Sequence, residues 1–213
     1  MKSFREMLPS DVVLATASDE GQDAPLLDGE AETVLNASPK RQRSFALGRD
    51  CARRALGDLG LDVCAILSGP RGEPLWPQGV TGSITHRSGF WAAAVAPSSV
   101  CLAIGIDAEL NHPLPAPLRE KVVGEASLPT PLTGIHWEAV VFSAKEATFK
   151  ARRPEQISLF DFLGIELSLD PRRQTFQARL NEAEAWPLRT ISGVFATAGT
   201  LILTAALIPR PPP

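Results

Sequence analysis

The sequence predicts an α+β protein with two comparable lobes. Strand-like runs occur in both halves of its 213 residues, one strongly patterned helix occurs in each half, and a seam falls near residues 98–112. A chain of this length holds one large domain or two intimate subdomains, with ample material for a core. In order, DVVLATA (11–17) reads as an early strand, and DGEAETVLNA (28–37) as a short helix for which Asp28 offers a cap. A longer helix runs from near Arg41 to about Leu59 and stops at Gly60. Phe45, Ala52, Ala55, Leu56 and Leu59 give it three-and-four spacing along one stripe. LSGPRGEPLWPQGVTGSITHRSG is dense in Gly and Pro, which predicts mostly turns with short strands. FWAAAVAP (90–97) and VCLAIGIDAE (100–109) read as adjacent strands joined by a tight turn, with residues small enough for burial on two faces. NHPLPAPL then interrupts regular structure. Residues 119–126 predict a short helix and 136–150 a firmer one, with Trp137, Val140, Val141, Ala144 and Thr148 inward. ISLFDFLGIELSL, TFQARL and ISGVFATAGTLILTAALI supply further strands, and the closing PRPPP is expected to be loose.

Composition narrows the function classes. Hydrophobic residues make up 44 % and charged residues 21 %, a globular balance. The net charge of -3 gives no general electrostatic case for nucleic acid, although local basic patches can still bind phosphate. The three cysteines, Cys51, Cys64 and Cys101, have neither an even count nor metal-ligand spacing, which speaks against a disulfide framework or zinc site. MKSFREMLPS lacks an apolar core for export, and no apolar run reaches the roughly 18 residues of a membrane span. The expectation is a cytoplasmic protein without a transmembrane segment.

The chemistry concentrates where an apolar strand, CLAIGIDAEL (101–110), ends in acids. Residues two apart on a strand point to the same side, so Asp107 and Glu109 aim at one place while Ile106 and Ala108 face away. Two ionised acids there repel unless a cation compensates, and magnesium, with its preference for oxygen ligands and phosphates, is a suitable one. A strand simply ending in solvent is the plain alternative. In WEAVVFSAKEATFK (137–150), Glu146 and Lys150 stand four apart, either as a surface ion pair or as a metal ligand and a phosphate contact. In GSITHRSG, Ser83, Thr85 and His86 either meet phosphate or satisfy their own loop. Lys40, Arg41, Arg43, Arg49, Arg53 and Arg54 form either a phosphate-binding face or a solvated helix. Arg71 adds a donor near a turn, and Trp76 either stacks on a base or covers the core.

Taken together, FALGRDCARRAL, GEPLWPQGVTGSITHRSGFWAAAV, AIGIDAELNHPLP and FSAKEATFK resemble, in order, the 4'-phosphopantetheinyl transferases. The likeness is to the larger monomeric type that serves siderophore and other nonribosomal peptide synthetases, and it spans about residues 30–205. It implies a pseudo-twofold fold of two similar α+β lobes, residues 1–100 on the nucleotide side and 101–213 carrying the metal acids. It also implies transfer of phosphopantetheine from coenzyme A to a serine of an apo peptidyl, aryl or acyl carrier protein, releasing 3',5'-ADP. Partners would be coenzyme A, carrier domains and a synthetase complex such as that for enterobactin, with no nucleic acid. Carried over residue by residue, it places Asp107, Glu109 and Glu146 around Mg²⁺, with Glu146 the favoured general base or only a ligand. Lys145 falls near the site and Lys150 near the pyrophosphate. Thr85 and His86 fall beside a coenzyme A phosphate, Arg49 and Arg53 in the first-lobe basic motif, and Arg71 in the nucleotide-side loop.

Two departures stand out: Arg87 follows His86 where many relatives carry a small residue, and the chain has no tyrosine for its docking surface. Asn111 to Pro115 resemble part of a carrier-facing rim. The residues also admit a metal-dependent phosphohydrolase, recognised by phosphate or nucleotide release without carrier. A noncatalytic carrier- or coenzyme A-binding module would bind without magnesium-dependent turnover.

Overall fold

A computed structural model describes residues 3–18, 24–87, 89–123, 128–129, 134–152, 164–180 and 189–211. Ser38 and Pro39 start helix α2 (Pro39–Asp58). Ser38 stays extended and its hydroxyl accepts the Arg41 amide at 3.4 Å, while Pro39 occupies the first turn, where its missing N–H leaves no bond unmade. The helix therefore begins two residues before Arg41: capping chemistry, rather than the apolar stripe, sets its start. Its buried side, with Cys51, Ala52, Ala55 and Leu56, packs on an antiparallel sheet of order β1-β3-β2 (β1, Val13–Ser18; β2, Val80–Arg87; β3, Phe90–Pro97). Ile66, Trp91, Ala93 and Val95 complete this core. β3 is the central strand, paired on both edges, and its run of alanines from Ala92 to Ala94 is wholly buried.

These elements belong to one compact unit, Ser10–Leu102 with Pro209–Pro213; the other is Met1–Pro9 with Ala103–Ile208. Residues 1–9 thus group with the second half of the chain. The second unit carries a five-stranded sheet of order β4-β8-β7-β6-β5 (β4, Cys101–Leu110; β5, Glu166–Asp170; β6, Thr175–Arg179; β7, Thr190–Ala198; β8, Leu201–Pro209). Strands β5 to β8 form antiparallel neighbours. Helix α4 (Trp137–Lys150) packs on β5, β6 and β7, with the Trp137 indole edge-on to Phe195 at 5.8 Å. Helix α3 (Ala116–Val123) adds Val122 and Val123 against Val141, and the short α1 (Phe4–Met7) buries Phe4. Each unit is a sheet under one principal helix, a two-lobed α+β architecture.

Three elements differ from expectation. Residues 28–37 form only a 3₁₀ turn, Ala31–Val34. Gly29 there takes φ 85°, and Glu30 is drawn inward to accept the Leu27 and Ile66 amides, both at 2.9 Å, so no helical run develops. The Gly- and Pro-rich segment contains a full eight-residue strand, β2, paired along its length with β3. β3 and β4 are joined by a tight turn, closed by the Val100 amide on the Pro97 carbonyl at 3.0 Å, yet they lie in different sheets. Residues 157–163 of the expected ISLFDFLGIELSL strand and the end of the expected 119–126 helix lie outside the described residues.

Candidate functional site

Gly105 determines how closely α4 approaches β4. A Cβ at this position would overlap the Ala147 carbonyl and press on the Ala151 amide, so only glycine permits the contact. Gly105, Asp107 and Glu109 alternate onto this same side of the strand. On the helix, positions 143, 146, 147 and 150 share one face at spacings of three and four. The approach consequently brings Ser143 Oγ to Asp107 Oδ2, donating at 2.8 Å, and Lys150 Nζ to Asp107 Oδ1, also at 2.8 Å. Lys150 donates as well to the Ile106 carbonyl at 3.2 Å. Asp107 is only 4 % exposed, and the ion pair is therefore largely shielded from water.

Glu146 joins the same electrostatic field. Burial pushes its carboxyl above the usual range, Lys150 opposes that rise, and the charge of Asp107 adds to it. Asp107 and Lys150 are thus in contact, and Glu146 lies within electrostatic reach of both. Glu109 follows on the same side of β4 and is half-buried. Lys145, two residues from Ser143, is turned toward the far side of the helix; burial holds its ammonium below the usual lysine value. Asn111 bridges the Gly134 carbonyl at 2.6 Å and the His136 amide at 3.0 Å, anchoring the segment that leads into α4.

The fit of this cluster to magnesium is partial. Among the described residues no group of three or more His, Cys, Asp or Glu side chains is gathered closely enough to hold a metal, so the three-acid cage is not assembled there. Asp107 instead holds an ammonium, and that ammonium shows that Oδ1 accepts a cation. The donor chemistry suits magnesium, which needs only one or two carboxylates when phosphates and waters complete its shell.

A second polar concentration lies wholly within the first unit. A cavity of about 770 Å³ is lined by the first turns of α2 and the end of β2, including Lys40, Arg41, Arg43, Ser44, His86 and Arg87. The Trp91 indole forms part of its wall and donates to Ser44 Oγ at 3.0 Å. Cations converge here beside a helix N-terminus, where amides and the helix dipole already favour an anion. His86 reaches it because it shares a face of β2 with Ile84, which meets α2 at Gly48. Thr85 necessarily faces the other way and is buried there, outside the cavity lining.

The remaining basic candidates separate. Arg53 gives Nη1 to both oxygens of the buried Glu30, at 2.9 and 2.7 Å, and Nη2 to the Pro25 carbonyl at 2.6 Å. Its terminal donors thus hold the buried Glu30 and the Pro25 carbonyl. Arg49 lies over the Phe45 ring at 4.3 Å and donates to Ser68 Oγ at 2.9 Å. Burial lowers its pKa to about 10, and its Nε is buried without a hydrogen-bond partner. Arg71 is exposed on a turn that Gly72 allows with φ 86°, and it does not line the cavity. Trp76 packs on the core beside Gly82, covering it rather than standing ready for a base. Sequence reasoning missed Ser143 as a partner of Asp107, Thr204 as the partner of Ser143, and Glu30 as the partner of Arg53.

The 4'-phosphopantetheinyl transferase N-terminal domain family matches residues 29–96, and the 4'-phosphopantetheinyl transferase superfamily matches residues 103–205. The chain is 44 % identical over 187 residues to 4'-phosphopantetheinyl transferase Svp of Streptomyces mobaraensis, covering 82 % of this chain and 74 % of the relative. It is 35 % identical to 4'-phosphopantetheinyl transferase Npt of Nocardia iowensis, covering 93 % of this chain and 96 % of the relative. Enterobactin synthase component D of Salmonella typhi is 29 % identical, across 56 % of this chain and 52 % of the relative. The chain belongs to the 4'-phosphopantetheinyl transferase superfamily, whose members move phosphopantetheine from coenzyme A to a carrier-protein serine.

Proposed function

We propose that the cluster around Asp107 is the transfer centre, and that the basic cavity holds a phosphate of coenzyme A. The observation that carries this reading is the convergence of Asp107, Glu146 and Lys150 from a strand end and a distant helix. Glu146 takes the proton from the carrier serine as its oxygen attacks the pantetheine-side phosphorus. The bond to the nucleotide phosphate breaks and 3',5'-ADP leaves. Lys150, part-buried and able to move from Asp107 to an incoming anion, offsets charge on the phosphoryl oxygens. Asp107 and Glu146, with Glu109 beside them, are the residues that would hold Mg²⁺; when bound, magnesium supplies further neutralisation of the diphosphate. No nucleophile of the enzyme is needed, because the hydroxyl arrives on the substrate.

In the first unit, Lys40, Arg41, Arg43 and His86 supply the cavity's phosphate contacts, with Arg87 beside them. Arg49 and Arg53 belong to the same basic helix, and with Arg71, Thr85 and Lys145 they carry the further coenzyme A contacts that the family likeness implies. The pathway served is siderophore or other nonribosomal peptide synthesis, a reading supported by the likeness to enterobactin synthase component D.

The test is a panel of apo peptidyl, aryl and acyl carriers with coenzyme A and magnesium. A phosphopantetheine mass gain on at least one carrier, matched by 3',5'-ADP, supports the proposal. Nucleotide release without carrier would point to a phosphohydrolase, and binding without turnover to a noncatalytic module. Arg41→Ala and His86→Ala are expected to raise the KM for coenzyme A about tenfold each with kcat largely kept, as loss of a charge-assisted phosphate contact requires. An unchanged KM would remove the cavity from the coenzyme site.

A further inference from the structure

We propose that Ser143 and Thr204 are positioning residues that fix the Asp107 carboxylate so that Oδ1 is presented to a divalent cation. The proposal rests on Asp107 being a magnesium ligand, as read above. Ser143 Oγ donates to Asp107 Oδ2 at 2.8 Å. Thr204 Oγ1 donates to the Ser143 carbonyl at 2.9 Å and lies 2.9 Å from Ser143 Oγ. Ser143 and Thr204 are both 0 % exposed, so no bulk water competes for these bonds. The trio ties together α4, β4 and β8, the last two being neighbours in the sheet.

Burial alone does not explain the geometry. A hydroxyl on this helix can satisfy itself on the preceding turn, as Thr148 does by donating to the Ala144 carbonyl at 2.7 Å. Ser143 turns to Asp107 instead. Thr204 sits between Leu203 and Ala205 in an apolar stretch of β8, where valine has the same shape without the hydroxyl. A carboxylate unrestrained at its terminal torsion rotates broadly. Ser143 removes that freedom by engaging one oxygen, and the other oxygen is the one that carries the Lys150 cation. Hydrogen bonds to a ligating carboxylate typically change metal affinity when deleted by roughly 10–100-fold.

The experiment titrates Mg²⁺ by calorimetry into the full chain with coenzyme A present. It compares wild type with Ser143→Ala, Thr204→Val, Thr204→Ser and Asp107→Asn, with thermal unfolding confirming that each is folded. Ser143→Ala and Thr204→Val should weaken Mg²⁺ binding about 10–100-fold, and raise the half-activating Mg²⁺ concentration equally while kcat at saturating Mg²⁺ is kept. Thr204→Ser, which keeps the hydroxyl, should remain close to wild type. Wild-type affinity in Ser143→Ala, with binding abolished in Asp107→Asn, overturns the positioning role. Equal weakening by Thr204→Ser and Thr204→Val also overturns it, since packing would then be the cause. Undiminished binding in Asp107→Asn defeats the ligand reading itself.

Discussion

Glu30 is fully buried and receives four hydrogen bonds: two from Arg53 and one each from the Leu27 and Ile66 amides. Removing one partner of such a pair leaves a buried charge uncompensated, a loss of about 3–5 kcal/mol. Glu30→Gln should lower stability to urea by that order, and an unfolding midpoint like that of wild type would contradict the assignment. Cys51 tests burial in a different way. Desolvation pushes its thiol up to about 11, so in the folded state it stays neutral through the ordinary pH range. Iodoacetamide at about pH 8 should leave Cys51 unlabelled until the protein unfolds, whereas rapid native labelling would refute its enclosure. The unfolded chain releases this proton first as pH climbs past the ordinary value of 9.0, so the group lowers stability above that pH and has no effect below it.

At the scale of elements, the contact between β4 and α4 builds the site, and Gly105 permits it. Gly105→Ala forces the helix away from the strand and should cost about 1–3 kcal/mol or more through overpacking. Because the same shift separates Lys150 and Ser143 from Asp107, transfer should fall more than stability does. Thermal unfolding and carrier modification measured together decide this, and full activity in a destabilised variant would contradict it. Helices α2 and α4 were legible because their apolar positions repeat at helical spacing and their surroundings agree. The 28–37 segment was misread because a distant partner, Arg53, draws Glu30 into the core, and no local pattern encodes a pair 23 residues apart. The hydroxyls of Ser143 and Thr204 were invisible for the same reason: they lie 61 residues apart and meet only through the sheet. Thr85 and His86 are adjacent in sequence, yet strand alternation sends one into the cavity wall and the other away from it.

The whole molecule carries a net charge of -3, while the cavity beside α2 concentrates cations. Coenzyme A binding should therefore weaken as salt rises, since the contacts are partly exposed and screened; a KM insensitive to ionic strength would argue against a phosphate role for the cavity. Among the described residues no helix is long and apolar enough to cross a membrane. The two lobes were foreseeable because strands and a patterned helix recur in each half; the sheet orders were not, since pairing depends on contacts beyond any local run. The account turns on Glu146, the acid that α4 brings into the electrostatic field of Asp107. Mass spectrometry of an apo carrier incubated with coenzyme A and Mg²⁺, using wild type and Glu146→Gln side by side, examines this directly. The expected result is a phosphopantetheine mass gain with wild type, slowed by at least about 10²-fold in the variant; equal rates from the two proteins would contradict it.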